Sequence, residues 1–190
     1  MSRIKASAWG AKVIGLLSVV FLLASCENVK RVTTVTFTRN LDVSFLLSSM
    51  GSAKSISEKV VYDPLDDEEL DKYANRLQTI SIIALAYKVD SLVTSPDNKQ
   101  DLLLETGTLS YTENENDTPV VLAHFRNLNV ADLYAQQAFV AFPSENTDLL
   151  AASLMTKKTL RFYITGTVNQ TPVTLGVTVR LNIEAKAGLI

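Results

Sequence analysis

From Val35 to Leu47 the odd positions read Val, Phe, Arg, Leu, Val, Phe and Leu, while the even ones read Thr, Thr, Asn, Asp, Ser and Leu. Period-two alternation of this kind predicts one long strand with one buried face, bent or bulged near Arg39–Asn40. Ser49 to Ser55, with Gly51, reads as a loop, and Ile56, Val60 and Tyr62 mark a second strand. Near the other end, Leu160, Phe162, Ile164, Gly166 and Val168 alternate with Arg161, Tyr163, Thr165 and Thr167. After Asn169-Gln170-Thr171-Pro172, the positions Val173, Leu175, Val177, Val179, Leu181 and Ile183 alternate with polar or small residues. Two such runs around a short polar turn predict a hairpin. Gly166 and Gly176 then mark bulges or tight cross-strand approaches.

Two helical insertions interrupt this pattern. Asp63-Pro64 suits an N-cap followed by a first helical residue, and Asp66, Asp67, Glu68 and Glu69 occupy turns where the helix dipole favours negative charge. Leu70, Tyr73, Leu77 and Ile80 extend that helix as one apolar stripe. The run Ile80–Val93, with Ile82, Ile83, Ala84 and Leu85, predicts a central strand covered on both faces. Ser144 to Lys158 reads as a second helix, acidic at Glu145 and Asp148, apolar inside at Leu149, Leu150 and Leu154, and basic at Lys157 and Lys158. A short helical turn fits Ala131–Gln137, and Leu109–Thr112 with Val120–Phe125 predicts another hairpin across the polar loop Glu113–Pro119. About seven strands and two or three peripheral helices result. The expected fold is mainly β, an immunoglobulin-like antiparallel sandwich, with an α+β two-layer fold as the alternative.

The N-terminus changes the picture more than the rest of the composition does. Arg3, Lys5 and Lys12 precede an apolar run from Val13 to Ala24, which closes on Leu23-Ala24-Ser25-Cys26. That run is too short for the roughly 20 residues of a membrane-spanning helix. An ordinary secretory leader would end on an A-x-A-like site, and a buried structural cysteine would not need a basic-then-apolar start. The ending resembles the lipobox of bacterial lipoproteins, which implies cleavage before Cys26 and acylation of its thiol. On that reading residues 1–25 are a signal peptide, 26–31 a lipidated tether and 32–190 the folded domain. The leader holds three basic residues and no acidic one, so 15 of the 18 basic groups face all 20 acidic ones and the mature chain carries −5. Trp9, the lone tryptophan, leaves with the leader. A mildly acidic surface without a basic stripe argues against nucleic acid, and the single cysteine leaves no thiol for disulfides, redox work or metal binding.

Candidate chemistry is sparse. His124 is the one histidine, on a strand reading Val-Val-Leu-Ala-His-Phe, and no Gly-x-Ser-x-Gly turn accompanies it. Zinc needs three or four protein ligands, so one histidine without thiolates predicts no zinc site. The acidic stretch Asp63–Asp71 and the loop Ser95–Asp101 both lack the glycine of a calcium loop. Neither shows the isolated carboxylate pair of a glycosidase. Tyr111, Tyr134 and Tyr163 are the candidates for a sugar-stacking surface.

The lipobox, the segment Leu70 to Ile80, and the ending Ile164-Thr165-Gly166-Thr167-Val168 through Pro172-Val173 together resemble β-rich lipoproteins of Bacteroidetes-type envelopes. The resemblance implies lipidation at Cys26 and an outer-membrane location. Glu27-Asn28-Val29-Lys30 carries a single acid, and surface-exported members tend to have an acidic run there, so a periplasm-facing position is expected. Asp90-Ser91-Leu92 is similar to that group's O-glycosylation acceptor, which makes Ser91 a candidate for modification. The expectation is a membrane-anchored envelope lipoprotein with no cofactor and no catalytic residue, a module that binds an envelope protein or glycan or plays a structural part in an assembly. The alternatives are a hydrolase using His124 or paired carboxylates, and a carrier of an apolar ligand.

Overall fold

A computed structural model describes residues 34–94, 101–156 and 158–189. Cys26, the leader and most of the Ser95–Asp101 loop lie outside them. The elements are β1 (Thr34–Ser49), β2 (Ser55–Tyr62), a 3-10 turn (Pro64–Asp66), α1 (Glu68–Tyr73) and β3 (Leu77–Thr94). There follow β4 (Leu103–Thr112), β5 (Val120–Asn129), α2 (Val130–Gln136), β6 (Val140–Ala141), α3 (Thr147–Met155), β7 (Leu160–Val168) and β8 (Val173–Gly188). Two four-stranded antiparallel sheets, ordered β1-β8-β3-β6 and β2-β7-β4-β5, form the expected sandwich.

The pairing has a simple logic. β1 pairs with β8, β2 with β7, β3 with β6 and β4 with β5, so the first strand meets the last and each inner pair nests within the one outside it. Rolling this long nested hairpin brings β3 beside β8 and β4 beside β7. The result is the strand order of a double-sheet jelly roll. It shares face-packed antiparallel sheets with the immunoglobulin architecture and differs from it in connectivity.

Each sheet turns its apolar positions inward. Leu41, Val43, Phe45 and Leu47 of β1 and Leu175, Val179, Leu181 and Ile183 of β8 are buried, as are Leu109 and Tyr111 of β4 and Phe162 and Ile164 of β7. Three aromatic rings, Tyr87, Phe125 and Phe142, close the β3–β5 side with centroids 5.2–5.7 Å apart.

Five local expectations are corrected. β7 and β8 are not a hairpin: residues 169–172, with a cis Thr171–Pro172 bond, carry the chain from one sheet to the other. Alternation reports which face is buried, and two strands facing each other across a core alternate just as two neighbours do. β1 is unbroken in register from Thr34↔Gly188 to Ser49↔Val173. Arg39 sits where α1 covers the strand, its Nε and Nη2 donating to Asp67 Oδ2 at 3.3 and 3.1 Å.

The helix expected to run through Leu77 and Ile80 stops at Tyr73. β3 instead is bulged at Gln78, Ile83 and Asp90, the residues its register with β8 skips. Each bulge adds one residue, so the inward series advances by three at Leu77–Ile80, Ile82–Leu85 and Val89–Leu92. The first step imitates a helical stripe. The second imitates two-sided burial, yet Ile83 is 56% exposed. Leu149, expected inside α3, is 53% exposed, while Leu150 and Leu154 are buried. Gly166 and Gly176 do mark close approaches: a Cβ on the first would overlap the Thr106 carbonyl oxygen, and on the second the Ser91 hydroxyl.

Candidate functional site

The sequence candidates disperse over the sandwich. His124 points outward from β5, its side chain 61% exposed, with Nδ1 3.3 Å from Thr108 Oγ1 and Nε2 3.8 Å from Glu145 Oε1. Tyr111 is buried on the inward face of the adjoining strand, so the two lie on opposite sides of one sheet. Tyr163 lies on the outer face of β7 opposite Lys59 and Ser110, and Tyr134 lies on α2, so the three tyrosines form no common platform.

The acidic stretch is architectural. Asp63 Oδ1 accepts from Leu65 N (2.9 Å), and Asp67 Oδ1 accepts from Glu69 N (3.1 Å) and Leu70 N (3.0 Å), capping the 3-10 turn and α1. Among the described residues no group of three or more metal-ligating side chains converges.

Ser91 is exposed on β3, opposite Gly176. Its neighbour Asp90 pairs with Lys88 Nζ (2.6 Å) and accepts from Thr178 Oγ1 (2.5 Å), which in turn lies 3.0 Å from Ser44 Oγ. Partial burial pushes the Asp90 carboxyl up, but the bonds from Lys88 and Thr178 outweigh it and hold it below its ordinary value. Next to this network Arg180 forks onto Asp42 with two 2.7 Å bonds and stacks 3.7 Å from the Phe139 ring centroid.

Convergence occurs elsewhere, in a cleft of about 340 Å³ between the β4–β5 turn and α3. Ser153 Oγ donates to Glu113 Oε1 at 2.8 Å, and since the carboxylate only accepts, the 3.3 Å contact between Tyr111 and Ser153 is the phenol donating to the serine. Burial raises the Tyr111 pKa, with Glu113 adding to the rise against the opposing bond to Ser153, so the phenol stays protonated. Lys158 Nζ lies 3.5 Å from Glu113 Oε2, and Arg161 Nη1 donates to the Glu113 carbonyl at 2.7 Å. Asp117 accepts from the backbone N and Nδ2 of Asn114, both at 2.9 Å, which shapes the turn and sets Asp117 and Thr118 on the rim. Val120, Leu149 and Ala152 form the apolar wall.

The Ser153 hydroxyl is engaged on both sides, donating to Glu113 and accepting from Tyr111. What the cleft offers is fixed acceptors and hydroxyls facing an apolar surface. Ser153 was the legible clue, a polar residue between Leu150 and Leu154 on the buried face of α3; its partner, in a loop some forty positions earlier, was not.

A second, wholly apolar cavity of about 50 Å³ lies between the sheets under α2, lined in part by Val89, Phe125, Val130 and Leu133. That is about a third of the roughly 150 Å³ of an engineered apolar cavity that takes up benzene. Among the described residues no helix is long and apolar enough to cross a membrane.

No protein-family model matches the chain, and no curated protein matches it significantly. Among solved structures it is similar to a chain from Desmodium yellow mottle tymovirus, with 11% identity, 81% of this chain and 90% of that chain covered, and a TM-score of 0.31. A likeness of that size carries no argument about fold or function.

Proposed function

We propose that this protein is a lipid-anchored envelope module of the outer membrane, facing the periplasm, that binds rather than transforms its partner. What supports the reading is a lipobox-like cysteine ahead of a sandwich in which a serine, a tyrosine and two carboxylates gather in one cleft. Eight residues lead from Cys26 to Thr34, the start of β1, a reach of at most about 29 Å. The cleft belongs to that same end of the sandwich, since Tyr111 and Thr112 register with Phe162 and Arg161, next to Leu160 and Tyr62 where β2 finishes. Acylation of Cys26 therefore holds the cleft close to the bilayer and raises its effective concentration toward anchored partners.

In membrane fractionation, the wild-type chain sediments with membranes and its N-terminus is acylated at Cys26, while Cys26→Ala is released. A variant that still sediments, with an unprocessed wild-type N-terminus, overturns the anchor.

A glycoside hydrolase is the second reading, because Glu113 and Asp117 line one cleft. Its general acid must donate a proton to the leaving oxygen. Here both carboxylates accept: Glu113 from Ser153, Asp117 from Asn114. Glycoside turnover lost on Glu113→Gln would favour this reading over the first.

A further inference from the structure

We infer that the cleft between the β4–β5 turn and α3 is a binding site for a neutral pyranose unit of a glycan. The inference rests on the binding reading above, since a hydrolytic cleft would consume such a ligand, and it is independent of the anchor. Three features carry it. The volume, about 340 Å³, lies at the small end of the roughly 300–1,000 Å³ range of ligand sites. Three of the polar side chains are fixed: Glu113 by Ser153 and Lys158, Asp117 by Asn114, and Ser153 by Tyr111. Facing them, Leu149 stands 53% exposed beside Val120 and Ala152.

Charge narrows the ligand class. An anion meets two carboxylates at the rim. A small cation meets Lys158 beside the Glu113 carboxylate and Arg161 on the Glu113 carbonyl, two positive charges that offset the two negative ones. A carboxylate has about four lone-pair sites, and two on each are taken, so acceptor capacity remains for hydroxyl donors. A sugar ring supplies those hydroxyls on its edge and an apolar C–H face for Leu149 and Val120. The Thr118 hydroxyl, which donates and accepts, complements the ring's own acceptors.

The test is amide NMR on the full-length protein in detergent micelles. Glucose, N-acetylglucosamine and its tetrasaccharide are the neutral probes, with glucose 6-phosphate and propylammonium as charged ones. Neutral sugars are expected to shift the amides of Asp117, Thr118, Val120, Leu149 and Ser153 in the millimolar range, with both charged probes markedly weaker. Tighter binding of the tetrasaccharide assigns a glycan chain, and equal binding assigns the single sugar. Leu149→Ser, at an exposed position that does not threaten folding, should weaken binding about fivefold, the worth of half a leucine side chain taken from water. No shift with any sugar up to its solubility, or equal shifts with either charged probe, overturns the proposal. Cys26→Ala should bind sugar as the wild type does, so loss of the anchor and loss of the ligand are told apart.

Discussion

A disulfide between the first and last strands tests the nested pairing directly. Ser44 Oγ and Thr178 Oγ1 lie 3.0 Å apart on the outer face of the β1–β8 pair, so a Ser44→Cys/Thr178→Cys variant places two sulfurs within bonding reach. The sequence separation is 134 residues, for which the loop-entropy relation gives a stabilisation of about 5 kcal/mol, with about 2–4 typical of real bridges. Thr178 also donates to Asp90, and losing that bond destabilises the variant. The loss is the same in the oxidised and reduced forms, so comparing them isolates the cross-link. The assay is urea unfolding of the variant with and without reductant, together with a mobility shift on non-reducing gels.

The control pair is Thr167→Cys/Thr174→Cys. A β7–β8 hairpin would set these residues opposite one another. In the jelly roll Thr167 pairs with Ser55 and Thr106 on one outer face, and Thr174 with Ser48 and Val93 on the other. Stacked sheets lie about 10 Å apart, beyond the roughly 7 Å Cα limit for a disulfide. Closure of the control pair, or failure of the first to close and stabilise, refutes the topology.

The two facing glycines should respond unequally to alanine. At Gly166 a Cβ strikes the Thr106 carbonyl, which cannot step aside, whereas at Gly107 it meets the end of the Leu104 side chain at 3.0 Å. Calorimetry should therefore place Gly166→Ala at or above the top of the about 1–3 kcal/mol overpacking range and Gly107→Ala near its bottom; the reverse order would discredit the strand contact. Along α3, Leu150→Ala should cost about 2–5 kcal/mol and Leu149→Ala within about 0.5 kcal/mol, as read from denaturant midpoints. The Thr112 hydroxyl is buried with no partner among the described residues, so Thr112→Val should be neutral or stabilising by up to about 1 kcal/mol; a large loss would show that the hydroxyl is satisfied after all. Because the Asp90 carboxyl is depressed in the folded state, its contribution is present above the unfolded value of about 3.9 and is lost as pH falls through the folded one. Asp90→Asn should remove that part of the acid destabilisation and leave the rest, which paired urea titrations at neutral and acid pH would reveal.

What could be read directly was the set of buried faces. The odd positions of β1 and β8 are the inward ones, the polar turns fall where the chain reverses, and Glu113–Pro119 joins a real hairpin. Asp63 and Pro64 do begin a helical turn, because capping is a contact between near neighbours. Bulges defeated the same reasoning in β3, since a step of three residues has no local mark separating it from helical periodicity. Ser153 and Glu113 were invisible as a pair, their hydrogen bond being made only when α3 packs against the β4–β5 turn.

The chain's own order of residues thus settled which side of the regular strands leaves water. Tertiary structure alone decided which strand lies beside which, that β7 and β8 face each other across the core, and that a serine, a tyrosine and two carboxylates share one cleft. Burial is written in side chains, position by position. Strand pairing is made by backbone groups common to nearly every residue, so the choice of partner is fixed by how the whole apolar surface can be enclosed.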